Sequence, residues 1–394
     1  MVFLKSSDKM YNQQHLSLHS IDTYFEPFLN SVLSKDRLGV GWGVIKLDSI
    51  FSSCGKTKGD SFKLSIPYAG QNLVWNVLFD SQYPELGPDF IFSDETFLMD
   101  PDIENLSRYV PSLAKWDYKN NNALLKVIVE LLSYYKEHQV QLLKKQGQRL
   151  NLEYSMLIET VPQEDIEVIL LPMGTKPIEA YFSIRLDIDF SQLPTRINQS
   201  QNDAAMLLVT FCGPDWNCVV PNLYLSQSLE ETFSGAASLH IPPFLPNSYL
   251  TAYIPKVKEL IMDKINTIVQ CYESRKKFVS ALLLLQRDSI IEYDAVEFHD
   301  ITLLLEHRDF YFLVHFHLTS MFPMEKPSIK LQSVYHMTAQ GNLYSEELNN
   351  NYNCSIITNI QRWNPRQMIS KILMYIIEKE VPKFQEKSTK NNRF

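Results

Sequence analysis

The chain has 394 residues, 45% of them hydrophobic and 21% charged, a globular balance whose length implies two or three domains. A formal charge of −8 argues against a general nucleic-acid binder, and no run approaches the roughly 18 apolar residues of a membrane span. Five cysteines, scattered and without a Cys-x-x-Cys pair, argue for a reducing compartment and against a disulfide framework or structural zinc. The opening MVFLKSSDKM lacks a signal-peptide core, so a cytosolic and nuclear chain is expected.

In chain order, Asp22 is placed to cap an amphipathic helix, DTYFEPFLNSVLS, with Phe25, Phe28, Leu29 and Val32 on one face. Strand patterns follow in GWGVIKLDSI (41–50), SFKLSIPY (61–68) and LVWNVLFDSQ (73–82), the last two joined by AGQN as a tight hairpin turn. YPELGPDFIF (83–92) and an irregular acidic stretch lead to a periodic helix from about Asn122. Leu124, Ile128, Leu131 and Tyr135 form its inner stripe, and the pattern extends to about residue 158. A second cycle comprises EDIEVILL, PIEAYFSIRLDIDF, AAMLLVTFC and VVPNLYLS as half-buried strands, with a polar, mobile loop expected between Gln192 and Asp203. A long helix is predicted from about Pro255, as a first-turn proline, to about Gln286. The third cycle has SIIEYDAVEF, ITLLLEHRDFYFLVHFHL with EHRD as its turn, and PSIKLQSVYH as strands. NPRQMISKILMYIIEKEV is its closing helix, and the tail KSTKNNRF is expected to fray. The predicted modules are 1–150, 151–275 and 276–394.

YPELGPDFIF aligns with FPMEKPSIKL (322–331): an aromatic precedes proline and a second proline follows four residues later, Pro84 and Pro88 against Pro323 and Pro327. Each copy follows a hairpin and precedes a tryptophan, Trp116 or Trp363, that opens a helix. Proline has no N–H for a sheet ladder, so these prolines are expected at a sheet rim.

This order of elements resembles the ubiquitin-conjugating (E2) fold and its UEV and RWD relatives. Those have a helix, a four-stranded antiparallel meander, a Tyr-Pro-x-x-Pro-Pro entry to the last strand, and closing helices. Trp363, Asn364 and Pro365 echo the family's Trp-Ser/Thr-Pro, whereas Gly87-Pro88 departs from Pro-Pro. The implied class is α+β, with tandem UEV-like ends flanking a divergent RWD-like middle. The segments IPYAG (66–70), QYPELGPDFIF (82–92), ASLHIP (237–242), FLVHFHL (312–318), FPMEKP (322–327) and LQSVYH (331–336) are also similar to the BRE family. These are scaffold subunits of BRISC-type deubiquitinase assemblies and of a nuclear BRCA-linked counterpart. That resemblance implies a non-catalytic subunit. Its implied partners are a JAMM/MPN metallo-deubiquitinase, an Abraxas-type MPN pseudoenzyme and a MERIT-type von Willebrand A subunit, with polyubiquitin as a candidate ligand.

An active E2 needs a cysteine beside the last strand and a nearby His-Pro-Asn. No cysteine lies between Cys54 and Cys212, so the first UEV-like region cannot form a thioester. In the second, YHMT (335–338) stands for Tyr-His-Pro-Asn, and GNLY puts Tyr344 at the place of the lost cysteine. Cys354, ten residues on, leaves an atypical conjugating enzyme as the alternative, and a purely structural spacer as a third reading. His15 and His19 read as surface residues, His315 and His317 as satisfied sheet histidines, and KKQGQR (144–149) and RKK (275–277) as solvated helix faces. The acidic stretch DETFLMDPDIEN (94–105) reads as a solvated loop flanking the former active site. No motif calls for a cofactor or metal. The candidate partner or ubiquitin rim comprises Tyr83, Pro84, Pro88, Phe90 and Phe92, with Phe322, Pro323, Pro327 and Tyr335.

Overall fold

The computed structural model describes residues 21–35, 37–41, 43–52, 58–99, 103–171, 179–194, 203–338, 340–348 and 364–391. His15, His19, Cys54, Cys354, Trp363 and most of the 192–203 loop lie outside them. The fold is α+β, with antiparallel sheets packed by helices. The chain divides into two compact units, Met1–Ile188 with Asn202–Leu260, and Asp189–Gln201 with Ile261–Phe394.

The first unit opens with α1 (Glu26–Leu33), shorter than expected. Asp22 closes the preceding turn instead, its side chain accepting from the Tyr24 N–H at 3.0 Å. Strands β1 (Lys46–Phe51), β2 (Ser61–Tyr68), β3 (Gln71–Leu78) and β4 (Asp89–Phe92) form a meander in sequence order. Ala69 and Gly70 make the two-residue β2–β3 turn, both at positive φ, as the twist of a hairpin demands. Helices α2 (Ile103–Tyr109), α3 (Pro111–Ala114) and α4 (Ala123–Lys145) follow. The sheet and α4 bury Phe62, Leu64, Trp75 and Val77 against Leu124, Ile128 and Leu131.

The long helix expected from Asn122 to 158 is broken. Gly147, at φ 125°, ends it in a conformation closed to residues with a Cβ, and α5 (Gln148–Thr160) restarts the chain. Then β5 (Ile166–Leu171), β6 (Glu179–Leu186), β7 (Ala205–Cys212) and β8 (Cys218–Leu225) form the second meander. Pro221 sits on β8, the outermost strand, where a proline is tolerated.

Two buried carboxylates organise this unit. Glu167 on β5 is 4% exposed, accepting from the Val40 N–H at 2.8 Å and the Ala69 N–H at 2.9 Å. It thereby holds the strained hairpin turn of the first sheet. Gly39 allows the approach, because a Cβ there would overlap Glu167 Oε1. Burial raises the Glu167 pKa, while the backbone donors and Lys136 oppose that rise. Glu153 on α5 pairs with Arg149 at 2.8 Å and accepts from the Leu250 N–H at 2.9 Å. After α6 (Gln227–Phe233), this acceptor starts α7 at Leu250 rather than near Pro255, so the proline falls inside the helix. Helix α7 (Leu250–Leu285) runs through residue 275, the expected boundary of the last module.

The second unit contains a five-stranded sheet, β9 (Ile290–Tyr293), β10 (Asp300–His307), β11 (Phe310–His317), β12 (Ser328–Met337) and β13 (Leu343–Glu347). The added β13 was not expected, and β9 ends at Tyr293 because Asp294 accepts from the Val296 and Glu297 N–H groups and turns the chain. Arg308 and Asp309, both at positive φ, close the β10–β11 hairpin at EHRD. Asn364 accepts from Arg366 N–H at 3.1 Å and caps α8 (Pro365–Tyr375), with Pro365 at its first position. A π-helical segment and α9 (Val381–Asn391) carry the helix on, so the tail expected to fray is helical through Asn391. Its anchor is Phe384, buried in the core with Phe312 and Phe316. Arg275 also departs from expectation: it is buried, donating to the carbonyls of Glu297 at 3.0 Å and Ser320 at 3.1 Å.

Candidate partner-binding rims

The two aromatic-proline segments occupy equivalent places. Each leads from the second strand of a hairpin into the next strand, with Pro88 directly before β4 and Pro327 directly before β12. Neither proline interrupts a ladder. Their side chains nevertheless lie in different environments.

In the first rim, Tyr83 O accepts from Leu86 N–H at 3.0 Å, a turn that puts Tyr83 outward at 57% exposure. Pro84 is half-buried and Pro88 buried. Phe90 and Phe92 point inward: their rings lie 6.1 Å apart, and Phe92 sits edge-on to Trp75 at 5.2 Å and Phe97 at 4.8 Å. They serve the core side of β4. The exposed apolar residues here include Leu86 and Ile91, which the proline spacing did not single out. A Cβ on Gly87 would come within 3.3 Å of Leu113 and 3.4 Å of Trp116, a tight fit at the position where the E2 pattern has the first residue of its Pro-Pro pair.

Within the acidic stretch, Asp94 is a structural anchor rather than a free charge. It accepts from Tyr135 Oη at 3.1 Å, Gln139 Nε2 at 3.0 Å and the Thr96 N–H at 2.9 Å. The Tyr135 pKa is raised by burial, reinforced by Asp94. A cleft of about 400 Å³ opens here, lined by Asn72, Asp94, Thr96, Tyr135 and Leu171. Glu85, Asp89 and Glu95 stay exposed, so this rim keeps a negative margin.

In the second rim, Phe322 is 0% exposed and packs against Phe278 at 5.4 Å. This corrects its nomination as a contact residue: the aromatic that faces solvent in the first copy is core in the second. Pro327 is buried as well, Pro323 is half-buried, and the Phe322–Pro323 peptide is cis. Tyr335 is 55% exposed. It lies seven positions along β12 from Ser328 (335 − 328 = 7), on the order of 20 Å away. Tyr335 and the proline turn therefore do not form one groove. Met321 and Met324 flank the turn as exposed side chains, and Lys330 is exposed on β12.

Tyr344, which the resemblance would set at the place of the E2 cysteine, lies on an edge strand of the five-stranded sheet. Met337 pairs with Leu343 and Thr338 N–H donates to Asn342 O at 2.7 Å, while the β12–β13 ladder is irregular between that pair and Gln332–Ser345, the stretch that Tyr344 faces. Tyr344 lies on β13 with its ring 5.4 Å from Phe384. Burial, then Glu346, raises its pKa against the pull of Lys387. His336 stacks near Phe310 and meets Ser333 Oγ at 3.2 Å. His315 bridges Thr302 at 3.0 Å and Gln332 at 3.1 Å, as a satisfied sheet histidine does, while His317 meets Asp300 at 2.7 Å. Among the described residues no cluster of three or more His, Cys, Asp or Glu could hold a metal ion.

The family model for Brain and reproductive organ-expressed protein (BRE) matches residues 19–337. A zebrafish (Danio rerio) protein named "BRISC and BRCA1-A complex member 2" is 33% identical over 392 residues, covering 96% of this chain and 98% of that protein. A Branchiostoma floridae protein of the same name is 33% identical over 387 residues, covering 95% and 98%. By family model and by near full-length identity, the chain belongs to the BRE family.

Proposed function

We propose that this chain is a non-catalytic scaffold subunit of a JAMM-type deubiquitinase assembly, of the BRISC and BRCA1-A kind in its relatives' names, acting on non-degradative polyubiquitin. The observation that carries the reading is Tyr344. Where the resemblance would set an E2 nucleophile stands a tyrosine on the edge strand β13, its ring 5.4 Å from that of Phe384. Such a group cannot form a thioester, so the sheets remain as docking surfaces. In this reading the ends are UEV-like modules and the middle is RWD-like, divided near residues 150 and 275.

The rims differ in charge, Glu85, Asp89 and Glu95 against Lys330, and like-charge contacts are penalised at interfaces. We assign the first rim to the MPN pair, metallo-deubiquitinase and Abraxas-type pseudoenzyme. The second falls to the MERIT-type von Willebrand A subunit, with polyubiquitin as a further ligand. The chain then works in cytoplasm and nucleus, the latter linking it to the DNA-damage response. Because residue 275 lies within α7, point variants of the intact chain are the cleaner test. Tyr83→Ala should lose the MPN pair on co-purification and keep the von Willebrand A subunit, and Tyr335→Ala the reverse. Retention of both partners by both variants, or loss of both by each, refutes the two-dock reading.

A further inference from the structure

Cys212 ends β7 and Cys218 begins β8, and they face each other in register across the sheet. Directly opposed antiparallel residues share a sheet face, with Cα atoms about 4.5 or 5.5 Å apart. Both spacings fall within the roughly 4.4–6.8 Å span of disulfides. Cys212 Sγ lies 3.3 Å from Cys218 O, both thiols are free, and Cys218 is exposed while Cys212 is half-buried. The five residues between them, Gly213 to Asn217, form the β7–β8 turn. No Cys-x-x-Cys spacing announces this pair, since the strand register brings it together.

We propose that Cys212 and Cys218 form a peroxide-responsive dithiol that closes reversibly to a cross-strand disulfide. The exposed Cys218 is the attacking thiol. Its sulfur, as thiolate, bonds to one oxygen of a hydroperoxide while the O–O bond breaks; the other oxygen leaves and takes up a proton, giving an alcohol and a Cys218 sulfenic acid. Cys212 Sγ then attacks that sulfur, gives up its proton and expels the hydroxyl as water. Two thiols and one hydroperoxide thus yield one disulfide, one alcohol and one water. The division of roles follows from the surroundings. The Cys212 thiol is pushed up, first by its hydrogen bond with Cys218, then by burial, by the charge of Cys218 and by Glu179 across the sheet. The exposed Cys218 is the thiol a hydroperoxide in solution meets first. Tyr181, whose hydroxyl donates to Glu179 at 2.6 Å, is the other titratable side chain influencing this corner.

Closure would tether a turn that reaches elsewhere in the same unit. Trp216, at φ 56°, is buried, and its indole N–H donates to Gln146 O at 3.4 Å, where α4 ends. The disulfide would hold that tryptophan against the α4–α5 break.

The test treats the full chain with graded tert-butyl hydroperoxide, followed by intact mass and peptide mapping. Expected are loss of two hydrogens' mass, a Cys212–Cys218 cross-link ahead of any other pair, and full reversal by dithiothreitol. Cys212→Ser should abolish the cross-link and leave a dimedone adduct on Cys218, with circular dichroism unchanged. Preferential linkage of another cysteine pair, persistence of the mass loss in Cys212→Ser, or oxidation of both thiols to sulfinic acid without a cross-link overturns the proposal.

Discussion

Replacing Glu167 by alanine should loosen the first unit from inside. The carboxylate accepts from the Val40 N–H at 2.8 Å and the Ala69 N–H at 2.9 Å, and both donor residues are almost wholly buried. Water does not readily replace the lost oxygens, so each stranded donor costs about 1–3 kcal/mol, and the pair about 2–6 kcal/mol. That is a large share of the roughly 5–15 kcal/mol that holds a domain folded. Glu167→Gln keeps one acceptor oxygen and turns an NH₂ toward the other donor, so it should cost about 1–3 kcal/mol. Hydrogen exchange on peptides spanning Val40 and Ala69 reads the effect locally. A 2 kcal/mol loss there speeds exchange about 30-fold.

The pH dependence has a definite sign. Burial raises the Glu167 pKa in the folded chain, so above the ordinary carboxylate pKa the folded state holds a proton that the unfolded state has released. Its contribution to stability is therefore fully present below the unfolded pKa and declines as pH rises through the folded one. Glu167→Gln should remove that decline. Unchanged exchange at both amides in Glu167→Ala, together with an unshifted urea midpoint, would refute this account of the junction.

Arg275→Ala should cost about 1–3 kcal/mol in thermal unfolding, because the buried guanidinium's hydrogen bonds to the carbonyls of Glu297 and Ser320 are lost, whereas the surface reading of that lysine–arginine run predicts no change. Phe322→Ala should destabilise the second unit by about 3–5 kcal/mol. The equivalent Tyr83→Ala, truncating an exposed ring, should stay within about 0.5 kcal/mol in the same melts. With activating enzyme, ATP and ubiquitin, the recombinant chain should give no dithiothreitol-sensitive adduct; one that disappears in Cys354→Ala would restore the conjugating-enzyme reading.

Hairpins and their turns were legible because period-two alternation and short polar turns act locally. Ala69–Gly70 and Arg308–Asp309 sit where the alternation breaks. The paired proline segments were legible because proline restricts where a strand can begin. Side-chain direction was not. Tyr83 and Phe322 stand at the same position of the same motif, and only tertiary packing, against Phe278 in the second copy, buries one of them. Glu167 was equally hidden, although a carboxylate in the apolar run IEVILL was a signal. Its partners are 127 and 98 positions away, beyond any local pattern. The start of α7 was misplaced for the same reason, since Glu153, 97 positions upstream, supplies its first acceptor.

Pro221 has a consequence for the chain's behaviour in a crowded solution. The β7–β8 ladder passes it without a register shift, the arrangement expected when the proline nitrogen faces away from β7. The open side of β8 then lacks one donor at mid-strand, where Val220 and Tyr224 would otherwise invite strand addition by another polypeptide. A single imino acid thus makes the sheet a poor template for cross-β growth.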